Sequence, residues 1–316
     1  MAEILLSLTI IGVVAAITLP SLMANINERT WNTQRKALYA RMSQAIAMMP
    51  QLNGYGEYEG TNTDGSVTAT KDTAAEAFLT EGLSKVLKIN NICDAAHLAD
   101  CGVAASFTNL AGSTKTWPTK LSELNSMFTV TYSDNEGPGG TSRSFTNPQN
   151  NIDTNAAAFE TQNGETIALY YNPSCQSDVE GNAWSYAQPK MCANFIYDLN
   201  GNKGPNVVGK DIGFITALYP TDSNVVAPFP LAKKDVNGSQ QYAITVCTSQ
   251  DPESRLPNRD ELSSMFYNKE LLGTTLRYYW SGTVRSATSA WYVDFSTGYR
   301  SPVERLSGLY INCVKR

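Results

Sequence analysis

The sequence predicts an α+β protein in three parts: a long N-terminal helix over 1–50, a β-rich head over 51–230 and a smaller α+β unit over 231–316. Three observations carry that reading. No residue from Ile4 to Leu22 is ionisable. The middle of the chain sets short apolar runs between turns rich in Gly, Asn, Ser and Thr, the pattern of strands and loops. The C-terminal stretch starts a helix at Asn258 and then alternates Trp291, Val293 and Phe295 with polar or amphipathic residues, the period of a half-buried strand.

At about 1.5 Å per residue, a helix from Glu3 to Leu22 covers roughly 30 Å, enough to cross the hydrocarbon core of a bilayer. The membrane-spanning part is therefore expected at 3–22. A signal peptide would place basic residues before a shorter apolar run and a small-residue cleavage site after it. Here the leading charge is Glu3, and no A-x-A site follows. Beyond Pro20 the helix is expected to continue to about Met49. Trp31, Leu38, Met42, Ala45 and Met49 recur at three- to four-residue spacing and form one apolar stripe, while Glu28, Arg29, Arg35, Lys36 and Arg41 face water. Pro50 and the Gly54–Gly65 stretch end it.

Glu3, Gly12, Ala15, Ala16 and Pro20 in this arrangement resemble the N-terminal segment of type IV pilins and of the pseudopilins of type II secretion. An ordinary membrane anchor explains the length of the run, but not the edge carboxylate together with the Pro20 spacing. The resemblance implies that the first half of the helix packs in a filament core and that a globular head clasps the second half. It also implies a role for Glu3 in filament assembly. A carboxylate at a membrane edge is costly unless paired, and the implied partner is the free N-terminal amine of a neighbouring subunit. Other pilin subunits and the membrane are then the partners. The family's basic leader, ending in Gly and cleaved before a Phe, is expected ahead of this mature segment, and Met1 falls inside it.

The 316 residues are 42% hydrophobic and only 17% charged, with net charge −5. That suits extracellular β-rich modules. No basic run offers phosphate contacts, so nucleic acid is excluded as the main partner. Proximity pairs Cys93 with Cys101, Cys175 with Cys192 and Cys247 with Cys313, although six cysteines allow other connectivities. Such disulfides place the chain beyond the cytoplasmic membrane. No C-x-x-C occurs and His97 is the sole histidine, which argues against zinc.

In the head, a helix is expected over Thr73–Leu87, with strands at Ser126–Tyr132 and Glu165–Tyr171. The run from Asp198 to Asp211 places side-chain oxygens at Asp198, Asn200 and Asn202, every second residue. A turning loop can offer such oxygens to calcium, with Asp211 adding charge. The EF-hand pattern is not met, because Lys203 stands where Gly is needed and Gly209 where Glu is needed. Similar Asp/Asn/Gly-rich loops lie near the sheet edge of many pseudopilins, and some hold calcium. A chain of Asx and Gly-Pro turns without metal accounts for the same residues.

In the C-terminal unit, Asn258 can cap a helix with Glu261 completing a capping box. Trp291, Val293 and Phe295 are expected to point inward, Tyr292 and Asp294 outward, and Gly298 to supply the positive φ of a hairpin. The set R-L-P-x-R-x-E-L, Y-W-S, A-W-x-V-x-F-x-x-G and the terminal C-V-K-R resembles bacterial C-type-lectin-fold domains, including retroelement-diversified variable proteins, over about 243–316. That resemblance implies loop display on a rigid platform and binding to a protein or glycan. The candidate binding residues are Arg285, Tyr292, Asp294, Tyr299, Arg300, Glu304 and Arg305. Tyr and Arg are the side chains most enriched at interface hot spots; a solvated hairpin is the plainer reading.

The function expected is thus a pilin- or pseudopilin-like filament subunit displaying a lectin-like adhesion domain. The alternative is a structural pseudopilin of type II secretion that binds no ligand. A membrane-anchored enzyme is disfavoured, because no Ser-His-Asp set exists and no carboxylate pair stands out by spacing.

Overall fold

The computed structural model describes residues 27–49, 73–125, 132–134, 143–145, 154–173, 190–219, 225–231 and 236–315. Helix α1 covers 27–48. A composite helix α2 follows, with an α-turn Ala74–Ala77, a π-turn Phe78–Gly82 and a 3₁₀ turn Leu83–Lys85. Next come β1 (Ile89–Cys93), the hairpin β2 (Ser106–Thr108) and β3 (Thr114–Thr116), α3 (Leu121–Leu124), and the hairpin β4 (Tyr132–Asp134) and β5 (Arg143–Phe145). Strands β6 (Ala157–Thr161), β7 (Thr166–Tyr171), β8 (Lys190–Asp198), β9 (Ile212–Tyr219) and β10 (Val225–Val226) form an antiparallel meander. β1 joins its edge, giving the six-stranded order β1-β6-β7-β8-β9-β10.

Side-chain alternation splits this sheet into two apolar faces. Phe159, Ile167, Leu169, Tyr171, Phe195, Tyr197 and Ile215 face α1 and α2, meeting Leu38, Met42, Ala45, Ile46 and Met49 of the α1 stripe and Phe78 and Leu79 of α2. Burying each of the larger stripe side chains, Leu38, Met42, Ile46 and Met49, contributes about 2 kcal/mol. Phe78 packs its ring 4.5 Å from that of Tyr171. The other face presents Ala158, Ala168, Tyr170, Ile196, Phe214 and Leu218 to the C-terminal half of the chain. Both faces of β7 are covered, so all six of its residues are buried.

The C-terminal half adds β11 (Phe229–Pro230), β12 (Asn237–Gly238), α4 (Gln240–Gln250), β13 (Ser254–Arg255), α5 (Arg259–Tyr267), α6 (Lys269–Leu272), β14 (Tyr278–Val284), β15 (Ser289–Asp294), β16 (Arg300–Glu304), β17 (Leu309–Tyr310) and β18 (Val314–Lys315). A five-stranded sheet runs β12-β17-β14-β15-β16, and a small one runs β11-β18-β13. α4 covers one face of the larger sheet through Ala243, Val246 and Cys247, packed with Trp280 and Ala290. α5 covers the other through Leu262, Met265 and Phe266, packed with Tyr279, Val293 and Phe295. The same buried cluster continues into the six-stranded sheet, so α5 lies between the two sheets.

Asn258 caps α5 with the reciprocal capping box, and Arg255 forks onto Glu261 at 2.6 and 2.7 Å. The disulfides Cys93–Cys101 and Cys247–Cys313 form as expected, and Cys192 is disulfide-bonded. Cys175 lies outside the described residues.

One expectation is corrected. The fold was expected to be organised by a long membrane-spanning N-terminal helix, but among the described residues no helix is long and apolar enough to cross a membrane. α1 spaces Glu28, Arg29, Arg35, Lys36 and Arg41 along its length, which suits a helix lying on a sheet with its other side toward water and not a lipid interior. The segment 3–22 and Glu3 lie outside the described residues. The described chain is a mixed helix and strand body organised by the six-stranded sheet.

Candidate functional site

Among the described residues, two places gather chemistry-bearing side chains. The first is the connection from β8 to β9. Asp198 ends β8 and is 1% exposed. Its Oδ1 accepts from the Asn200 amide at 3.1 Å, while Oδ2 is buried with no hydrogen-bond partner. Asn200 donates Nδ2 to the Gly204 carbonyl at 2.6 Å, leaving its Oδ1 buried and unpartnered. Asn206, at φ 54°, likewise has a buried, unpartnered Oδ1. Asp211, fully buried, accepts from the backbone N–H groups of Asn206 and Val207 at 2.8 and 2.9 Å. Burial, with a smaller push from Asp211, lifts the Asp198 carboxyl to about 7.

This short loop thus holds three buried side-chain oxygens without donors, beside a second carboxylate. Such an arrangement costs free energy unless something positive satisfies it. Asn202 takes no part, because it is exposed. Asn206, which was not among the expected residues, supplies the third buried oxygen instead. The period-two spacing pointed to Asn202, but the 3₁₀ turn Gly201–Lys203 breaks that alternation. No group of three or more His, Cys, Asp or Glu gathers among the described residues; amide oxygens supply the rest of this set.

The second place is the end of the C-terminal sheet. Val293 and Phe295 are fully buried as expected, whereas Trp291 is half-buried with the Arg259 guanidinium 5.1 Å over its ring. Tyr292 is half-buried and meets Tyr278 edge-on at 5.5 Å. Arg285 and Glu304 are exposed, Tyr299 is half-buried, and Arg305 donates Nη1 to the Ala287 carbonyl at 3.2 Å.

Asp294 and Arg300 correct the expectation of an outward binding pair. Asp294 is buried, and its carboxylate accepts from Ser296 N, Ser296 Oγ and Thr297 Oγ1, closing the hairpin turn before Gly298 at φ 78°. Arg300 pairs with Val293 across the ladder and therefore shares its inward face. It is 2% exposed and donates Nη1 to Asp260 Oδ1 at 2.6 Å. Burial lowers its guanidinium to about 10, partly offset by Asp260.

What remains outward at this end is an aromatic corner that the sequence reading missed in part. Tyr278 is 47% and Leu276 60% exposed, and the Arg277 guanidinium lies 5.4 Å over the Tyr310 ring. The parity of Tyr278 against buried Tyr279 was the signal available for it.

The chain matches no protein-family model and no curated protein.

Proposed function

We propose that this chain is a filament subunit of the type IV pilin kind, held at a membrane before assembly, which displays its C-terminal unit to a protein or glycan at the cell surface. The observation that carries the reading is α1. Its described part begins at Asn27, after the uncharged sequence 4–22, and its apolar stripe lies on the antiparallel sheet. The chain, expressed with an affinity tag, should appear in the sheared-filament fraction. Recovery in membranes alone would contradict the reading. The C-terminal unit supports display through the aromatic corner of Leu276, Tyr278 and Tyr292. Tyr278→Ala with Tyr292→Ala in the whole chain should abolish binding on glycan and protein arrays. An array without any signal for the parent chain would favour the structural pseudopilin instead.

A second feature of the proposal is a calcium ion in the β8–β9 connection, supported by the unpartnered buried oxygens of Asp198, Asn200 and Asn206. Calcium takes about six to eight hard oxygen ligands, amide and carboxylate alike, so this donor set suits it. Asp211 adds charge while keeping its backbone contacts. At about 100 times its Kd, calcium would stabilise the fold by roughly 2.7 kcal/mol. Chelator should therefore lower the Tm of the parent and of Asn202→Ala, but not that of Asp198→Asn. Equal responses from all three would remove the site.

A further inference from the structure

The face of the six-stranded sheet that meets α5 is largely apolar, with Ala168, Tyr170, Ile196, Phe214 and Leu218, and carries a polar group beneath the helix. There Asn194 of β8 and Thr216 of β9 stand opposite each other in the ladder. Ser264 and Asn268, one turn apart at the C-terminal end of α5, come down on them. All four are fully buried. Asn194 donates Nδ2 to Asn268 Oδ1 at 2.8 Å, and Asn268 returns Nδ2 to Asn194 Oδ1 at 3.1 Å. Thr216 donates its hydroxyl to Asn194 Oδ1 at 2.7 Å, and Ser264 donates to Thr216 Oγ1 at 2.6 Å. Asn268 Nδ2 also reaches the Ser264 carbonyl at 2.9 Å. Each amide and hydroxyl of the group is hydrogen-bonded, and the pairs between sheet and helix join positions 48 to 74 residues apart in the chain.

Apolar contacts are non-directional, so a helix lying on an apolar sheet can slide or rotate at small cost. A reciprocal amide pair with two hydroxyls has one geometry, and any shift leaves buried donors without acceptors. Apolar side chains of the same size would fill the space without that constraint. Two further polar links hold the same helices: Asn125 Nδ2 donates to the Phe266 carbonyl at 3.3 Å, and the Leu110 amide donates to the Leu271 carbonyl at 3.0 Å.

We infer that Asn194, Thr216, Ser264 and Asn268 are an orientation lock, positioning residues that fix the angle at which the C-terminal unit sits on the six-stranded sheet. The lock acts on geometry more than on stability. It holds the aromatic corner at one distance and direction from α1, and it does so whatever the chain binds or assembles with.

The test separates orientation from stability. Spin labels on genetically encoded keto side chains at exposed Lys36 and Thr288 leave the cysteines untouched and report the α1-to-hairpin distance by electron–electron resonance. The parent should give one narrow distance. The variant Asn194→Leu/Thr216→Val/Ser264→Ala/Asn268→Leu should keep its Tm within about 5 °C, yet give a distribution at least about twice as wide. Asn194→Leu alone, which leaves Asn268 Oδ1 without its donor and the Thr216 hydroxyl without its acceptor, should lower Tm by about 3–8 °C. Should the fourfold variant fail to accumulate, Thr216→Val with Ser264→Ala removes both hydroxyls without added bulk and should also widen the distribution. A folded variant of either kind with the parent's narrow distance would overturn the lock.

Discussion

At the scale of single residues, Asp198 shows what burial does to a carboxylate. In the unfolded chain it ionises near 3.8, and in the fold burial lifts it to about 7. Below the lower value both states are protonated and the residue is neutral in its effect. Between the two, the unfolded state loses its proton while the folded state keeps it, so stability falls as pH rises, by about 1.4 kcal/mol per pH unit. Above about 7 the loss is complete, at roughly 4 kcal/mol. In chelator, the parent should therefore melt higher at pH 5 than at pH 7.5, and Asp198→Asn should flatten that difference. A parent Tm that rises over this range through an Asp198-dependent step would contradict the account. Asp198, Asn200 and Asp211 were legible in the sequence because loop oxygens are recognisable by type. Asn206 was not, since its position depends on a turn at Gly204 and Pro205. Arg300 was misread for a related reason. Its face is set by pairing with Val293, and that register depends on how Asp294 ties the turn.

At the scale of elements, amphipathic spacing was the most dependable signal. The stripe Leu38, Met42, Ala45 and Met49 is fully buried or nearly so, and the strand at Glu165–Tyr171 is seen as Thr166–Tyr171. The Asn258–Glu261 capping box forms. These features are local, and local chemistry decides them. The helix expected over Thr73–Leu87 is seen as Ala74–Lys85, but its middle widens into a π-turn at Phe78–Gly82, which seats Phe78 on Tyr171. Tertiary packing sets that widening, and spacing along the chain does not record it. Met42 sits at the centre of the α1 contact. Met42→Ala should cost about 2–4 kcal/mol, read as a shift in the denaturant midpoint with an unchanged slope. A loss below about 0.5 kcal/mol would mean that α1 is not held on the sheet through this stripe.

At the scale of the whole molecule, the chain was read as separate parts, and the buried cluster that spans both sheets was not legible. Leu262, Met265 and Phe266 look like an ordinary helix face until the sheet they lie on is known. Residues on both sides of the 230/231 division share that cluster. The parent should accordingly unfold in one cooperative transition, whereas residues 231–316 alone should lack it. Two separate calorimetric transitions would argue against the shared core. Reducing Cys247–Cys313, which closes a span of 66 residues, should cost about 4 kcal/mol in the chain-entropy model. The proposed filament role joins this body to the apolar segment ahead of α1. Its most direct measurement is electron microscopy of cells expressing the chain with a processed leader, gold-labelled through the exposed 285–288 loop, beside the Glu3→Ala variant. The account predicts labelled filaments for the parent, and for the variant equal membrane levels with no label on filaments. Equal filament labelling in both would contradict it.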